Sequence, residues 1–264
     1  MPDYGYLKKY IGGVRAEGRY TFSLSGIRDR FPQSDEAIKK ALQRLKNKQE
    51  IAAVRKEFYV ILPPEYKSKG MLPPAMFIDD LMTFLGRDYY VGLQNAAAFF
   101  GTASQQSTNF SVVTTNPPPR AIQTINFNSK KEWPKDDIDQ LEVETGYINV
   151  SSPELTALDL LFFFDKAGGI DRIAMALAEL SYSMDPQKLV TAAKRFPQIT
   201  TVQRLGFLLG EILLIQSLSD PLAEYLKTVN YFPVLLHPER TGPLRMRTGN
   251  KWKVVQNVPI LVDV

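Results

Sequence analysis

The stretch FPQSDEAIKKALQRLKNKQEIAAVRKEFYVIL, Phe31 to Leu62, decides how the chain is read. Pro32 breaks the segment before it, and Ser34 offers a hydroxyl to cap a new helix. Ala37, Ile38, Ala41, Leu42 and Leu45 recur at helical spacing, so one face of that helix is apolar. The opposite face carries Glu36, Lys39, Lys40, Gln43 and Asn47, with Arg44 and Lys46 at its shoulders. Beyond it, Ile51–Val54 and Phe58–Leu62 alternate as two short strands about Arg55-Lys56-Glu57, which predicts a hairpin with a basic tip.

Upstream, Tyr20-Thr21-Phe22 favours a strand, Ser23 a cap, and Leu24, Ile27 and Phe31 a shorter helix. Two helices joined by a tight turn and followed by a hairpin make a winged helix-turn-helix, whose second helix enters the major groove of DNA. Lysine and arginine reach phosphates, arginine reads guanine, and glutamine reads adenine. The candidate DNA contacts are Ser34, Glu36, Lys39, Lys40, Gln43, Arg44 and Asn47 on the helix, with Arg55 and Lys56 on the wing. Two blander readings compete. Exposed lysines are ordinarily just solvated, and a helix-turn-helix outline also serves protein–protein adaptors.

Charge distribution favours the DNA reading. Residues 1–70 carry 15 Lys+Arg against 8 Asp+Glu, a balance of +7, whereas residues 71–264 carry 17 against 20, or −3. A basic head on a mildly acidic body implies different partners, with a polyanion for the head. Hydrophobic residues at 44% and charged residues at 23% make an ordinary globular composition. The absence of cysteine and the single histidine, His237, exclude disulfides, iron–sulfur ligation and zinc sites that need several thiolates or imidazoles. The apolar runs Leu160–Phe164 and Ile212–Ile215 fall far short of the roughly 20 residues of a membrane span. Met1–Gly13 lacks the apolar core of a secretory signal, so the expectation is a cytoplasmic protein with no membrane partner.

Leu62–Pro74 holds four prolines and a glycine and is the best linker candidate. It divides a winged-helix domain, 1–66, from a larger domain, 67–264. In the latter, helices are expected near Ala75–Leu85 and Leu93–Gly101, then strand-like runs at Phe110–Thr115, Ala121–Phe127 and Glu142–Val150. Ser152 caps a helix through "SSPELTALDLLFFF", and helices follow at Ile170–Tyr182, Pro186–Arg195 and Val202–Ser217. The tail "KWKVVQNVPILVDV" returns to strand chemistry. The fold class is α+β: a winged helix-turn-helix followed by a mixed α/β domain with a helical C-terminal half.

Catalytic signatures are weak. Asp136, Asp137, Asp139, Glu142 and Glu144 are the cluster most able to hold a divalent ion, but "KDDIDQ" reads equally well as a solvated helix start. His237 precedes a proline and reads as a surface or loop-packing residue, not as part of a triad. Gly168-Gly169 lacks the spacing of a phosphate loop and reads as a turn between helices. Arg240, Arg245, Arg247, Lys251 and Lys253 form a second basic segment, either tracking phosphate or keeping a loop soluble. No catalytic residue, metal site or cofactor is expected.

Three stretches together resemble the AbiEi antitoxin family of type IV toxin–antitoxin systems: "YYVGLQNAAAFFGTASQQ" (Tyr89–Gln106), "NVSSPELTALDLLFFFDKAGGIDRIAMALAEL" (Asn149–Leu180) and the tail "KWKVVQNVPILVD". The resemblance covers most of the chain. It implies an N-terminal winged helix that represses its own operon and a larger domain that counteracts a neighbouring nucleotidyltransferase-like toxin, without requiring direct contact. It places the recognition helix on Ser34–Asn47 and the wing on Arg55–Tyr59. The wing tip departs from the pattern, with Lys56-Glu57 where relatives often carry glycine. The operator is expected to be double-stranded DNA with an inverted repeat, bound by a dimer or by cooperating monomers. The competing reading is an adaptor that binds its partner without sequence-specific DNA recognition.

Overall fold

The computed structural model describes residues 5–101, 109–240 and 249–261. It opens with α1 (Gly5–Ala16), β1 (Thr21–Ser23), α2 (Leu24–Arg30), α3 (Asp35–Asn47), β2 (Ile51–Arg55) and β3 (Phe58–Ile61). Both expected caps form: Ser23 Oγ accepts the Gly26 N–H at 3.1 Å, and Ser34 Oγ accepts the Ala37 N–H at 3.3 Å. β3 lies between β1 and β2 and runs antiparallel to both, with Phe22 opposite Tyr59 and Ile51 opposite Ile61. Leu7 and Ile11 of α1, Ile27 of α2, Ile38, Leu42 and Leu45 of α3 and Ile61 of β3 share one core. The apolar stripe read in α3 is buried as expected.

After a one-turn helix α4 (Pro64–Lys67) come a 3-10 turn Pro74–Met76, α5 (Ile78–Phe84), β4 (Tyr89–Val91), α6 (Leu93–Phe99), β5 (Phe110–Thr115), β6 (Ile125–Lys130), β7 (Ile138–Val143) and β8 (Gly146–Ser151). Their five strands form a sheet in the order β6-β5-β4-β8-β7, with β4 parallel to β8. The helical part follows as α7 (Pro153–Phe162), α8 (Ile170–Leu180), α9 (Pro186–Arg195), α10 (Ile199–Phe207) and α11 (Gln216–Lys227). Short parallel strands β9 (Val234–Leu235) and β10 (Val254–Val255) complete it. The architecture is mixed α/β.

The chain divides into two compact units: Met1–Tyr89 with Val112–Lys131 and Gln140–Asn149, and Tyr90–Ser111 with Glu132–Asp139 and Val150–Val264. This partition differs from a division after residue 66. Within the first unit the proline-rich segment is buried near its two ends, at Leu62 and Leu72, and Met76 and Phe77 just beyond it are buried as well.

Three other expectations need correction. The run Glu142–Val150 is two strands, because Glu144-Thr145 turns the chain and the Thr145 hydroxyl donates to the Met76 carbonyl. "KDDIDQ" starts no helix; a 3-10 turn, Lys135–Asp137, leads straight into β7, and the Asp137 carbonyl accepts the Ser152 N–H. The helix expected over Val202–Ser217 begins at Ile199, widens into a π-helical turn at Leu208–Ile212 and breaks where Leu214 adopts φ +56°. The indole of Trp252 packs against this segment. It is fully buried, and a Cβ on Gly206 would come within 2.0 Å of its ring. Gln203 fastens the same segment by donating to the carbonyls of Phe232 and Trp252, each at 2.9 Å.

Candidate nucleic-acid interface

All nine sequence-derived candidates are exposed: Ser34, Glu36, Lys39, Lys40, Gln43, Arg44 and Asn47 on α3 and the residue before it, Arg55 at the end of β2, and Lys56 in the hairpin turn. The burial of Ile38, Ala41, Leu42 and Leu45 fixes the rotation of α3 and thereby turns the polar face outward. Gln43 and Asn47, one helical turn apart, are joined by a hydrogen bond of 2.8 Å, which pre-orients both amides.

Sequence reasoning missed Arg28. Its guanidinium grips Asp35, the first residue of α3, through Nε at 2.9 Å and Nη2 at 2.7 Å, and its Nη1 lies 3.6 Å from Glu57 of the wing turn. Arg28 thus touches α2, the start of α3 and the wing together. The same hydrogen bonds hold the Asp35 carboxyl below its ordinary range and raise Arg28. The wing turn is also fastened through its backbone, where the Glu57 carbonyl accepts the Leu24 N–H at 2.9 Å. Glu57 sits at φ +66°, the left-handed conformation that favours glycine, so the departure noted in the sequence carries local strain. The signal was present as an arginine seven residues before an aspartate, but that spacing bridges a turn and has no helical periodicity.

The other candidates are dispersed. Asp136, Asp137 and Asp139 line a cavity of about 740 Å³ with Glu154, Asp185 and Arg195, whereas Glu142 and Glu144 do not line it and are exposed. Arg195 Nη1 lies 3.5 Å from Asp136 and 3.6 Å from Asp137. Glu154 accepts the Asp185 N–H at 2.8 Å, so it braces a backbone turn. Among the described residues no three acidic or imidazole side chains are grouped to hold a metal ion. His237 packs its ring 4.7 Å from that of Phe164, the loop-packing role expected of it. Gly168 and Gly169 adopt φ +92° and +86°, as a turn between helices requires. In the second basic segment, Lys251 pairs with Asp220 at 3.0 Å and Lys253 lies 4.2 Å over the Tyr231 ring. Arg245 and Arg247, like residues 102–106 of the small-residue motif and Asp263 of the tail motif, lie outside the described residues.

Residues 90–211 match the family described as AbiEi antitoxin C-terminal domain. The match falls on two of the three stretches that carry the resemblance read from the sequence and bears that resemblance out. Among solved structures, the RV2827C protein from Mycobacterium tuberculosis has a similar fold, with a TM-score of 0.68 at 11% identity over 96% of this chain and 91% of that one. No curated protein matches the chain. Among the described residues no helix is long and apolar enough to cross a membrane.

Proposed function

We propose that the chain is an antitoxin that represses its own operon, reading a double-stranded operator with α3 and the β2–β3 wing while its C-terminal domain counteracts a nucleotidyltransferase-like toxin. The observation that carries the reading is the exposure, on one helix and the adjoining turn, of the cationic and amide residues from Ser34 to Lys56. The order helix, strand, helix, helix, hairpin and the three-stranded sheet beside it support a winged helix. The functional modules divide near residue 66. One copy covers a short site, so an inverted repeat is bound by a dimer or by monomers cooperating on DNA. The chain acts in the cytoplasm and is not an enzyme.

Fluorescence anisotropy with the chain's own upstream DNA tests this. Binding should weaken with salt, and Lys39→Ala/Lys40→Ala/Arg44→Ala should flatten the log–log salt slope by roughly 3, near one per lost phosphate contact. An unchanged slope removes this face from the interface. No binding at low salt favours the adaptor reading, in which the same domain docks a protein. Co-expression with the adjacent toxin tests the antitoxin half separately.

A further inference from the structure

The first compact unit holds a cleft of about 370 Å³ between α1 and the end of α2, distinct from the α3 face. We infer that this cleft binds a small planar ring bearing a negative charge.

Its walls are aromatic. The Tyr6 and Phe31 rings lie 4.8 Å apart at 59°, and Tyr10 meets Phe31 edge-on at 5.7 Å. Its rim is cationic. The Arg30 guanidinium lies 5.6 Å from the centre of the Tyr10 ring, and Lys9 also lines the opening. Glu17 is engaged by Arg19 at 2.6 Å, and among the described residues no carboxylate pairs with Lys9 or Arg30. Rings and cations together select a guest that is both flat and anionic. The volume is at the small end of ligand sites, which suits one ring or two.

Packing of α1 on α2 accounts for the rings but not for Gly13. This glycine lines the cleft from within α1, where alanine makes a more stable helix. A Cβ there would meet nothing within 4 Å, and its φ is not in the left-handed region. Neither close approach nor backbone conformation calls for glycine. The missing side chain leaves the cleft open, and that is the role the geometry gives it.

Arg30 ends α2 and Phe31 is its C-cap, three residues before the Ser34 cap of α3. A guest held by both bears on the turn that sets α3, an effect on DNA affinity that rests on the proposed function. Binding itself does not rest on it.

Calorimetry on the full chain with benzoate and with adenosine monophosphate tests the site, using cyclohexanecarboxylate and inorganic phosphate as non-aromatic anions. At least one aromatic anion should bind more tightly than either non-aromatic one, and which of the two does so identifies the source. Arg30→Gln should weaken it on the order of ten-fold. Gly13→Ala should raise the melting temperature by roughly 2 °C. Gly13→Leu should fill the cleft and abolish binding, with folding verified by circular dichroism; if it misfolds, Arg30→Gln decides. The inference fails if neither aromatic anion binds, if the non-aromatic anions bind as well, or if Arg30→Gln or a folded Gly13→Leu binds as before. Loss of all DNA binding with the aromatic anion still bound would overturn the operator reading and leave the site standing.

Discussion

The first 62 residues and the helical part from Ser152 onward solve the same packing problem in different ways. In the former, each helix buries one stripe and leaves its polar face outside, so surface and core are separated residue by residue. In the latter, α7 is buried from Pro153 to Leu161, and Glu154, Thr156 and Asp159 go inside with the leucines. A helix buried all round has no free face to carry a function. It serves as a post on which α6, α8, α9 and α10 pack. The difference teaches where to look: a helix that buries one stripe, as α3 does, leaves a polar face outside, whereas α7 leaves none.

Substitutions can break that comparison. The largest effect should come from Trp252→Ala, which empties the space against Gly206 and should cost about 3–5 kcal/mol in urea unfolding. Gly206→Ala attacks the same contact by overpacking and should cost about 1–3 kcal/mol. Tyr90→Phe removes a buried 2.6 Å hydrogen bond to Asp159 and should cost about 2 kcal/mol. Ser34→Ala, which removes the α3 cap, should cost about 1 kcal/mol. If Ser34→Ala proved more damaging than Trp252→Ala, the contrast between a locally specified head and a centrally packed helical core would collapse.

Two pH dependences sharpen it further. Burial, reinforced by the carboxylates of Asp79 and Asp159, raises Tyr89 and Tyr90 well above the ordinary phenol range. The unfolded chain loses those protons near pH 10, so their stabilisation is complete below about pH 10 and falls as pH rises beyond it. Stability measured from pH 9 upward should decline, and less steeply in Tyr90→Phe. Asp35 gives the smallest effect and the opposite sign. Its folded carboxyl sits below the usual value of 3.8, so its contribution is present above that pH and disappears as pH falls through the lower folded value. Arg28→Ala should return the Asp35 titration, followed by NMR, to the ordinary range.

Legibility followed the same division. The bounds of α3, its serine cap and its outward face could be written down from Phe31–Leu62, because a capped amphipathic helix states its own ends. β5 and α9 were equally plain, the first a run rich in β-branched residues, the second starting at Pro186. The π-helical turn after Phe207 was not legible, since the residue packed against it, Trp252, is more than forty residues away. Arg28 was hidden for a related reason: its partners lie across a turn and across a strand pair, where no sequence period reports them. The burial of Leu62 and Leu72 was missed because proline marks irregular backbone whether or not its neighbours are packed.

Only two tryptophans occur in the chain, and Trp133 and Trp252 both fall in the second compact unit. Indole emission is therefore blind to the first unit. A denaturation curve followed by tryptophan fluorescence describes the second unit alone, while tyrosine absorbance or circular dichroism also registers the first. Any offset between the curves measures, without an added label, how far the two units melt independently.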